Sequence, residues 1–305
     1  MVIRVGPAGW SYADWEGPVY PRSKPRGFHP LAFLARYVDC VELNSSFYAL
    51  PNARHAQRWV ELVREHPRFR FTAKLLGEFT HAPWSEHTPE QREGSARDYL
   101  AGLAPLNDAG RLAALLVQFP ASFRPTSADA RERLHWIRAR FGDSAPLVLE
   151  LRDRAWFEGA PHAELLDLGY SFASIDLPAA REHPDPELPL AAGAGPVGYL
   201  RLHGRNASAW FDPEAGRDQR YDYLYAADEL ADLVRTARRL AEGKDETYVV
   251  TNNHFSGKAM ANALEILASL SGEPSLAPSQ LVAAYPQLVP KTRVEGQGDL
   301  FGGGA

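Results

Sequence analysis

The chain has 305 residues, of which 45% are hydrophobic and 23% are charged, and this composition is ordinary for a soluble globular protein. The formal net charge of −5 argues against broad, sequence-independent binding to nucleic acid, although it leaves room for a local basic patch. Cys40 is the sole cysteine, and the chain shows neither a signal-peptide pattern nor an apolar run of membrane-spanning length. We therefore expect a cytoplasmic protein without disulfides and without a membrane partner.

Short apolar segments alternate with helical patterns along the whole chain. The strand candidates, each followed by a turn or loop signal, are Ile3–Ala8, Cys40–Phe47, Arg70–Leu75, Leu112–Phe119, Leu147–Arg152, Ser171–Asp176, Pro196–His203 and Thr247–Asn253. The helical patterns between them are Pro30–Tyr37, Ala53–Glu65, Glu93–Leu103, Ser127–Arg140, Ala160–Leu168, Ala226–Leu240 and Gly257–Leu270. Ser127 and Ser256 are the candidate N-caps of two of these helices.

This alternation predicts an α/β fold with parallel strands, and eight such strands can close into a (β/α)₈ barrel of the TIM type. The segment Leu177–Gly195 is rich in Pro, Ala and Gly, so we expect an irregular connection between strands six and seven. We predict a single barrel domain over residues 1–290. Residues 291–305, which end in GQGDLFGGGA, are predicted to form a disordered tail.

Polar side chains alternate with aliphatic ones in most of the predicted strands. Because successive strand residues point to opposite faces, the aliphatic face should pack against the helices and the polar face should point into the barrel. The polar set comprises Glu42, Asn44 and Ser46 in strand two, Lys74 and Gln118 in strands three and four, Glu150 and Arg152 in strand five, Asp176 in strand six, and Arg201 and His203 in strand seven. We expect these side chains to converge at the C-terminal rim, where barrel enzymes carry their catalytic groups. An ion network that only neutralises itself is the structural alternative.

The first functional hypothesis is an enzyme that acts on a phosphorylated or otherwise anionic small substrate without a metal. The candidate catalytic residues are Glu42, Lys74, Glu150, Arg152, Asp176 and His203. Lys74 and Glu150 are the preferred proton-transfer groups, because burial and pairing can shift their pKa values toward neutral pH. The candidate substrate-binding residues are Trp10, Asn44, Tyr48, Gln118, Arg201, Arg205, Asn252, Asn253 and Lys258.

The loops after strands seven and eight could bind the anion. They read HGRN (His203–Asn206) and NNHFSGK (Asn252–Lys258), and barrels often bind phosphate at these two loops through backbone N–H groups. Ordinary turn chemistry is the alternative interpretation. Aromatic residues in predicted loops at the same rim could stack on a base or sugar or could form a lid; they are Trp10, Trp15, Trp84, Trp156, Trp210, Phe47, Tyr48, Phe211 and Phe255.

Several segments together resemble the domain-of-unknown-function 72 (YecE-like) family. In chain order they are GPAGWSYADW, VELNSSFYALP, FTAKL, LLVQFP, VLELRDRAWF, YLRLHGRN and VTNNHFSGKAMANA. The resemblance implies a barrel fold and no established activity. Relatives commonly carry a histidine after the arginine of strand five, whereas this chain has Asp153 there.

The fold of that family is similar to endonuclease-IV-like barrels, which use clustered metal ions, and this implies a second hypothesis of a DNA-repair-related hydrolase. Its metal ligands would have to come from Glu42, Glu150, Asp176 and His203, with His81 or His254 as a further candidate. Three cations in the same cluster would repel a metal and compete for the carboxylates. We therefore expect no cofactor, with a metal and nucleic-acid binding left as open alternatives.

The tail carries the segment QGDLF, which resembles the peptide by which bacterial proteins bind the DNA polymerase sliding clamp. Gln297 would anchor the peptide by hydrogen bonds, and Leu300 and Phe301 would enter an apolar pocket of the clamp. Glycine at position 298 replaces a more common aliphatic residue, and a flexible tail without a partner is the alternative. A third hypothesis is a barrel that binds a ligand or acts as an adaptor without catalysis.

Overall fold

The computed structural model describes residues 2–178, 184 and 195–294, and it confirms the parallel (β/α)₈ barrel. The strands are β1 (Val2–Pro7), β2 (Cys40–Leu43), β3 (Arg70–Lys74), β4 (Leu112–Gln118), β5 (Leu147–Glu150), β6 (Ser171–Asp176), β7 (Val197–Leu202) and β8 (Glu246–Thr251). They form one sheet in the order β1-β8-β7-β6-β5-β4-β3-β2, and all neighbouring pairs are parallel.

The seam between β1 and β2 closes the barrel. The Asp39 N–H donates to the Val5 carbonyl (3.0 Å), and the Gly9 N–H donates to the Glu42 carbonyl (2.9 Å). The two strands approach closely at Gly6, where a Cβ atom would lie 1.7 Å from the carbonyl oxygen of Cys40. Glycine is therefore required at position 6 because no side chain fits between the strands.

The longer helices surround the sheet on its outer side, and short helices lie in the loops at its ends. They are α1 (Pro30–Leu34), α2 (Ser45–Tyr48), α3 (Ala53–Leu62), α4 (Gly77–Thr80), α5 (Pro89–Asp108), α6 (Ala130–Phe141), α7 (Gly159–Asp167), α8 (Ala207–Trp210), α9 (Arg217–Arg220), α10 (Ala227–Ala241), α11 (Lys258–Ser271) and α12 (Ser279–Ala284). Short 3₁₀ turns occur at Ala13–Trp15, Trp84–Glu86, Arg154–Phe157, Phe255–Gly257 and Pro286–Lys291. Among the helices described, none combines the length and the apolar character needed to cross a membrane.

The two predicted N-caps are wrong. Helix α6 begins after Asp129, and the Ser127 hydroxyl instead accepts a hydrogen bond from the Arg124 backbone in the preceding turn (3.1 Å). Helix α11 begins after Gly257, which is left-handed, and Ser256 lies outside it with a φ of 55°.

Strand β2 is shorter than predicted. Asn44 already has helical backbone angles, so the strand ends at Leu43 and the chain turns into α2. Ser46 is therefore not a strand residue; its hydroxyl oxygen lies within hydrogen-bond distance of the carbonyls of Leu43 (2.9 Å) and Lys74 (2.7 Å), which share its one proton. This bond pair ties the end of β2 to the end of β3 beneath the rim.

The chain beyond Pro290 still contains regular structure, because β10 (Thr292–Val294) pairs in parallel with β9 (Ser275–Ala277). The predicted irregular connection at 177–195 lies largely outside the described residues. The clamp-binding candidates Gln297, Leu300 and Phe301 lie wholly outside them.

The two faces of the strands pack as the alternation predicts. Outward-facing residues such as Val41, Leu149 and Leu200 are buried against the helices in the main apolar core. A smaller cluster fills the lower barrel interior and includes Cys40, Leu116, Val148, Tyr199 and Tyr248. The next inward-facing positions, two residues further along β2, β4, β5 and β7, are polar. Along these four strands, a mainly apolar layer is thus followed by a charged upper layer.

Candidate functional site

A fully buried ion cluster forms the upper layer of the barrel, with Arg201 of β7 at its centre. Its Nη2 and Nε donate to the two carboxylate oxygens of Glu42 on β2, at 2.7 and 3.1 Å, and its Nη1 donates to Glu150 on β5. The Tyr199 hydroxyl also donates to Glu42 (2.9 Å). Arg201 is 1% exposed and both carboxylates are 0% exposed, so the charges compensate one another away from water.

Glu150 has further partners above this layer. The Gln118 amide donates to it at 2.6 Å and the Arg152 guanidinium at 2.9 Å. Burial alone would raise the pKa of Glu150, but the charges of Arg201 and Arg152 outweigh burial and hold that pKa well below its usual range. Glu150 therefore remains a carboxylate, and its two oxygens are held by Arg201, Arg152 and Gln118.

Lys74, at the end of β3, lies on the floor of the open space above this cluster. Its Nζ is 4.4 Å from the centre of the Phe47 ring, a cation–π contact. No hydrogen bond or ion pair joins Nζ to any of the described residues. Burial, followed by the nearby charge of Arg201, lowers the pKa of Lys74 to about 8. The amine is therefore partly unprotonated near neutral pH.

The space above the cluster is a cavity of about 520 Å³ at the C-terminal rim. Aromatic rings form its walls: Tyr12 stacks on His254 with 4.5 Å between ring centroids, and Tyr48, which is 79% exposed, stands at the mouth. The lining comprises Gly9, Trp10, Ser11, Tyr12, Leu43, Asn44, Ser45, Phe47, Tyr48, Lys74, His81, Gln118, Arg201, His203, Arg217, Tyr221, Asn252 and His254. The cavity combines a cationic floor with aromatic walls, which suits a small ligand.

Three histidines face this cavity, and all three are neutral at neutral pH. Burial and the charge of Arg201 hold the pKa of His203 well below its usual range. Burial and nearby cations lower the pKa values of His81 and His254 to about 4. The ring nitrogens of His203 lie 3.0 Å from the Asn252 amide and 3.3 Å from Arg201 Nη1. These rings can exchange hydrogen bonds with a ligand, but they add no charge to the cavity.

The structure brings most of the candidate residues from the strands to one place. The cavity is lined by eight of them: Trp10, Asn44, Tyr48, Lys74, Gln118, Arg201, His203 and Asn252. Directly behind this lining lie Glu42, Glu150 and Arg152, which hold Arg201 or one another. Four further candidates, Asp176, Arg205, Asn253 and Lys258, lie outside the lining.

Asp176 and Arg205 form a separate cluster beside β6 and β7. Arg205 binds both Asp176 (2.6 Å) and Glu229 of α10 (3.0 Å), and the Tyr225 hydroxyl donates to Asp176 (2.6 Å). The Gly204 N–H donates to the same hydroxyl (2.9 Å). The charge of Arg205 is therefore neutralised, and the backbone N–H of Gly204 already has an acceptor.

The loop after β8 is also engaged with its own chain. Lys258 forms an ion pair with Asp222, and the Asn253 amide donates to Asn262 of α11 (2.9 Å). Neither side chain lines the cavity. Among the described residues, Lys74 of β3 is therefore the cation at the cavity floor that has no acidic partner. The cations of loops seven and eight, in contrast, are paired with carboxylates.

The predicted rim tryptophans have different environments. Trp15 and Trp156 are buried in the core, and Trp84 packs against the guanidinium groups of two arginines, 4.0 and 4.9 Å from its ring. Trp10 lines the cavity. Trp210 lies edge-on to the histidine that follows β7, with 5.8 Å between centroids. Of the five, Trp10 therefore belongs to the cavity wall and Trp210 packs against one of the lining residues.

The sequence analysis missed three lining residues with aromatic or charged side chains, which are Tyr12, Arg217 and Tyr221, and four smaller or aliphatic ones, which are Gly9, Ser11, Leu43 and Ser45. Arg217 and Tyr221 lie in the long interval between β7 and α10, which carries five aromatic residues from position 210 to position 225. That aromatic content was the feature of the sequence that could have indicated a contribution of this interval to the cavity wall. Their approach to the cavity depends on how the interval folds back over the barrel, and strand periodicity does not report this.

Within residues 2–178, 184 and 195–294, no group of three or more His, Cys, Asp or Glu side chains is arranged to hold a metal ion. All four carboxylate oxygens of Glu42 and Glu150 already accept hydrogen bonds from protein donors. A metal at these carboxylates would have to displace Arg201, so this donor set does not fit one.

Comparison with known proteins gives consistent matches along the chain. The model of the family described as protein of unknown function DUF72 matches residues 4–284. The UPF0759 protein YunF of Bacillus subtilis is 30% identical over 288 residues, which cover 92% of this chain and 99% of YunF. A crystal structure of a DUF72 family protein from Thermotoga maritima has a TM-score of 0.71 and 31% identity, and covers 89% of this chain and 100% of its own. One from Enterococcus faecalis has a TM-score of 0.73 and 26% identity, with coverages of 88% and 96%.

Proposed function

Since this chain belongs to the DUF72 family of proteins of unknown function, we propose that it is an enzyme that acts on a small anionic substrate by metal-independent acid/base chemistry at Lys74. The substrate would enter the rim cavity and place its anionic group at the floor. The observation that carries the proposal is the amine of Lys74, which faces the cavity without an acidic partner among the described residues.

The charge balance of the floor favours an anion. Three cations, Lys74, Arg152 and Arg201, lie near two carboxylates, Glu42 and Glu150, which leaves an excess of one positive charge when Lys74 is protonated. The cavity histidines do not change this balance because they are neutral. A ligand carboxylate or phosphate would supply the missing negative charge. Its binding would offset the cost of holding an ammonium away from water.

Lys74 is suited to move a proton to or from such a ligand. A group with a pKa of about 8 is present in both forms near neutral pH, which is the condition under which a general acid or base is most effective. Glu150 and Glu42 would act as positioning residues behind the lining, since they hold Arg201 and set the electrostatic field at Lys74. The aromatic walls would exclude water around the reacting group.

The donor set does not fit the alternative of a metal-dependent hydrolase, because Arg201 occupies the carboxylates that a metal would need. A barrel that binds its ligand without turning it over uses the same cavity and the same lysine. Turnover separates that alternative from the proposal.

The test uses the full-length protein with a pool of phosphorylated and carboxylated metabolites, and product formation is followed by mass spectrometry. Lys74→Met should reduce turnover about 100-fold or more, in line with the usual contribution of a general acid or base. Lys24→Met is the matched control, because Lys24 is an exposed lysine that pairs with Glu16 outside the cavity. Equal turnover by wild type and Lys74→Met would overturn the proposal, and ligand retention without any turnover would identify a binding protein.

A further inference from the structure

We propose that Lys74 is a nucleophile that binds a small keto acid or aldehyde acid covalently, as an imine between its Nζ and the carbonyl carbon. This inference rests on the proposed function, since it uses the same cavity and the same lysine. It narrows the substrate class from anions in general to anions that carry a carbonyl group.

The surroundings of Lys74 distinguish it from the other lysines of the chain. Lys24 pairs with Glu16, Lys258 pairs with Asp222, Lys291 lies 3.9 Å from Glu265, and Lys244 donates to the Gly195 carbonyl (2.7 Å). Each of these four therefore has an oxygen partner for its ammonium, in a hydrogen bond or an ion pair. Lys74 instead lies over the Phe47 ring, and no described residue accepts a hydrogen bond from it.

An amine in this environment is kept available for attack. The Phe47 ring covers one side of Nζ, the Arg201 and Arg152 guanidinium groups oppose its protonation, and the cavity opens on the remaining side. A pKa of about 8 instead of 10.5 increases the fraction of free amine at neutral pH by a factor on the order of 100. Desolvation next to another cationic group is a known way to activate a lysine for imine formation.

The step balances within the cavity. The free amine adds to the carbonyl carbon, the C–N bond forms as the carbonyl π pair moves to oxygen, and one proton passes from the new ammonium nitrogen to that oxygen to give a carbinolamine. The nitrogen lone pair then expels the hydroxyl group, which takes up a proton from solvent and leaves as water, and the product is an iminium ion. The neutral imidazole of His81, which lines the same cavity, would relay these protons. The iminium keeps the positive charge that pairs with the acid group of the ligand.

The experiment incubates the full-length protein with pyruvate or glyoxylate and then adds borohydride, which reduces an iminium to a stable secondary amine. Peptide mapping by mass spectrometry then locates adducts that carry the mass of the acid less one water plus two hydrogens. We expect at least tenfold more adduct on Lys74 than on any of the other four lysines. Acetone, which has a carbonyl but no acid group, should label Lys74 far less.

Two variants keep the test interpretable. Lys74→Arg retains the charge but has no nucleophilic amine, so it should bind the keto acid and trap no adduct at position 74. Lys24→Met should trap as much as wild type. Adducts spread evenly over all five lysines would overturn the imine. Binding of pyruvate that depends on Lys74 but gives no trapped adduct would overturn the imine and leave the proposed function intact. If no acid binds in a way that depends on Lys74, both the imine and the proposed function are wrong.

Discussion

Replacing Arg201 with methionine tests whether the ion cluster is built as described. Arg201 is the sole ionic partner of Glu42 in the described residues, whereas Glu150 keeps its bond to Arg152 (2.9 Å). The substitution therefore leaves one fully buried carboxylate, Glu42, held only by the Tyr199 hydroxyl. Loss of one partner of a buried ion pair typically costs about 3–5 kcal/mol. We expect the free energy of unfolding of Arg201→Met to fall by that amount at pH 7.

The pH dependence and a double variant identify the cause. In the wild type, the depressed pKa of Glu150 contributes stability that is fully present above the unfolded pKa near 4.5 and is lost as the pH falls through the folded pKa. In Arg201→Met, a proton can neutralise the orphaned carboxylate, so its deficit relative to wild type should shrink in acid. Adding Glu42→Gln should recover most of the lost stability at pH 7.

The assay is urea denaturation followed by tryptophan fluorescence at pH 7 and at pH 4.5. The reasoning would be refuted if Arg201→Met lowered the free energy of unfolding by less than about 1 kcal/mol at pH 7. It would also be refuted if the double variant were no more stable than the single one. Either result would mean that water or another group compensates Glu42 and that the barrel interior is not closed around the cluster.

Three further predictions concern the lysine, the seam and the tail. Arg152→Met should raise the pKa of Lys74 above about 8, because the Arg152 charge helps to lower it; pH-dependent amine labelling mapped to Lys74 by mass spectrometry measures this, and no upward shift would contradict it. Gly6→Ala should lower the free energy of unfolding by several kcal/mol, because its Cβ would lie 1.7 Å from a backbone oxygen. Gly94→Ala, whose Cβ meets nothing within 4 Å, should leave that free energy unchanged or raise it by about 0.5–1 kcal/mol. Chemical denaturation of the two variants measures both values. A peptide of residues 295–305 should bind the bacterial sliding clamp in a titration, and a peptide with both apolar residues of QGDLF changed to alanine should not; equal binding or none by both would exclude the tail as a clamp ligand.

The fold and the inner layer of the site were predictable because they follow from a period of two. Alternation alone places Glu42, Glu150 and Arg201 inside the barrel, and the strand order brings them to the same height. The same reasoning extended β2 too far, since the turn at Asn44 is a local backbone choice that alternation does not report. It also placed Lys74 at the rim without showing that it would lack an acidic partner.

Pairing partners were the part that the sequence did not reveal. Asp176 satisfies the same alternation rule as Glu150, yet it binds Arg205 because Tyr225 and Glu229 approach from the segment after β7. Lys258 follows β8 as predicted, but Asp222 reaches it from that same segment. Which charges remain free for a ligand therefore depends on contacts between residues far apart in the chain, and these had to be read from the structure.

The most direct measurement of the central claim is native mass spectrometry, with elemental analysis, of the wild-type protein and Lys74→Met purified from the protein's own host. We predict that the wild type retains a small anionic molecule without needing a stoichiometric metal and that Lys74→Met, folded as judged by circular dichroism, does not retain it. Two results would contradict an anion site centred on Lys74. One is a ligand that both proteins retain equally, and the other is a ligand that leaves the wild type only when a bound metal is removed.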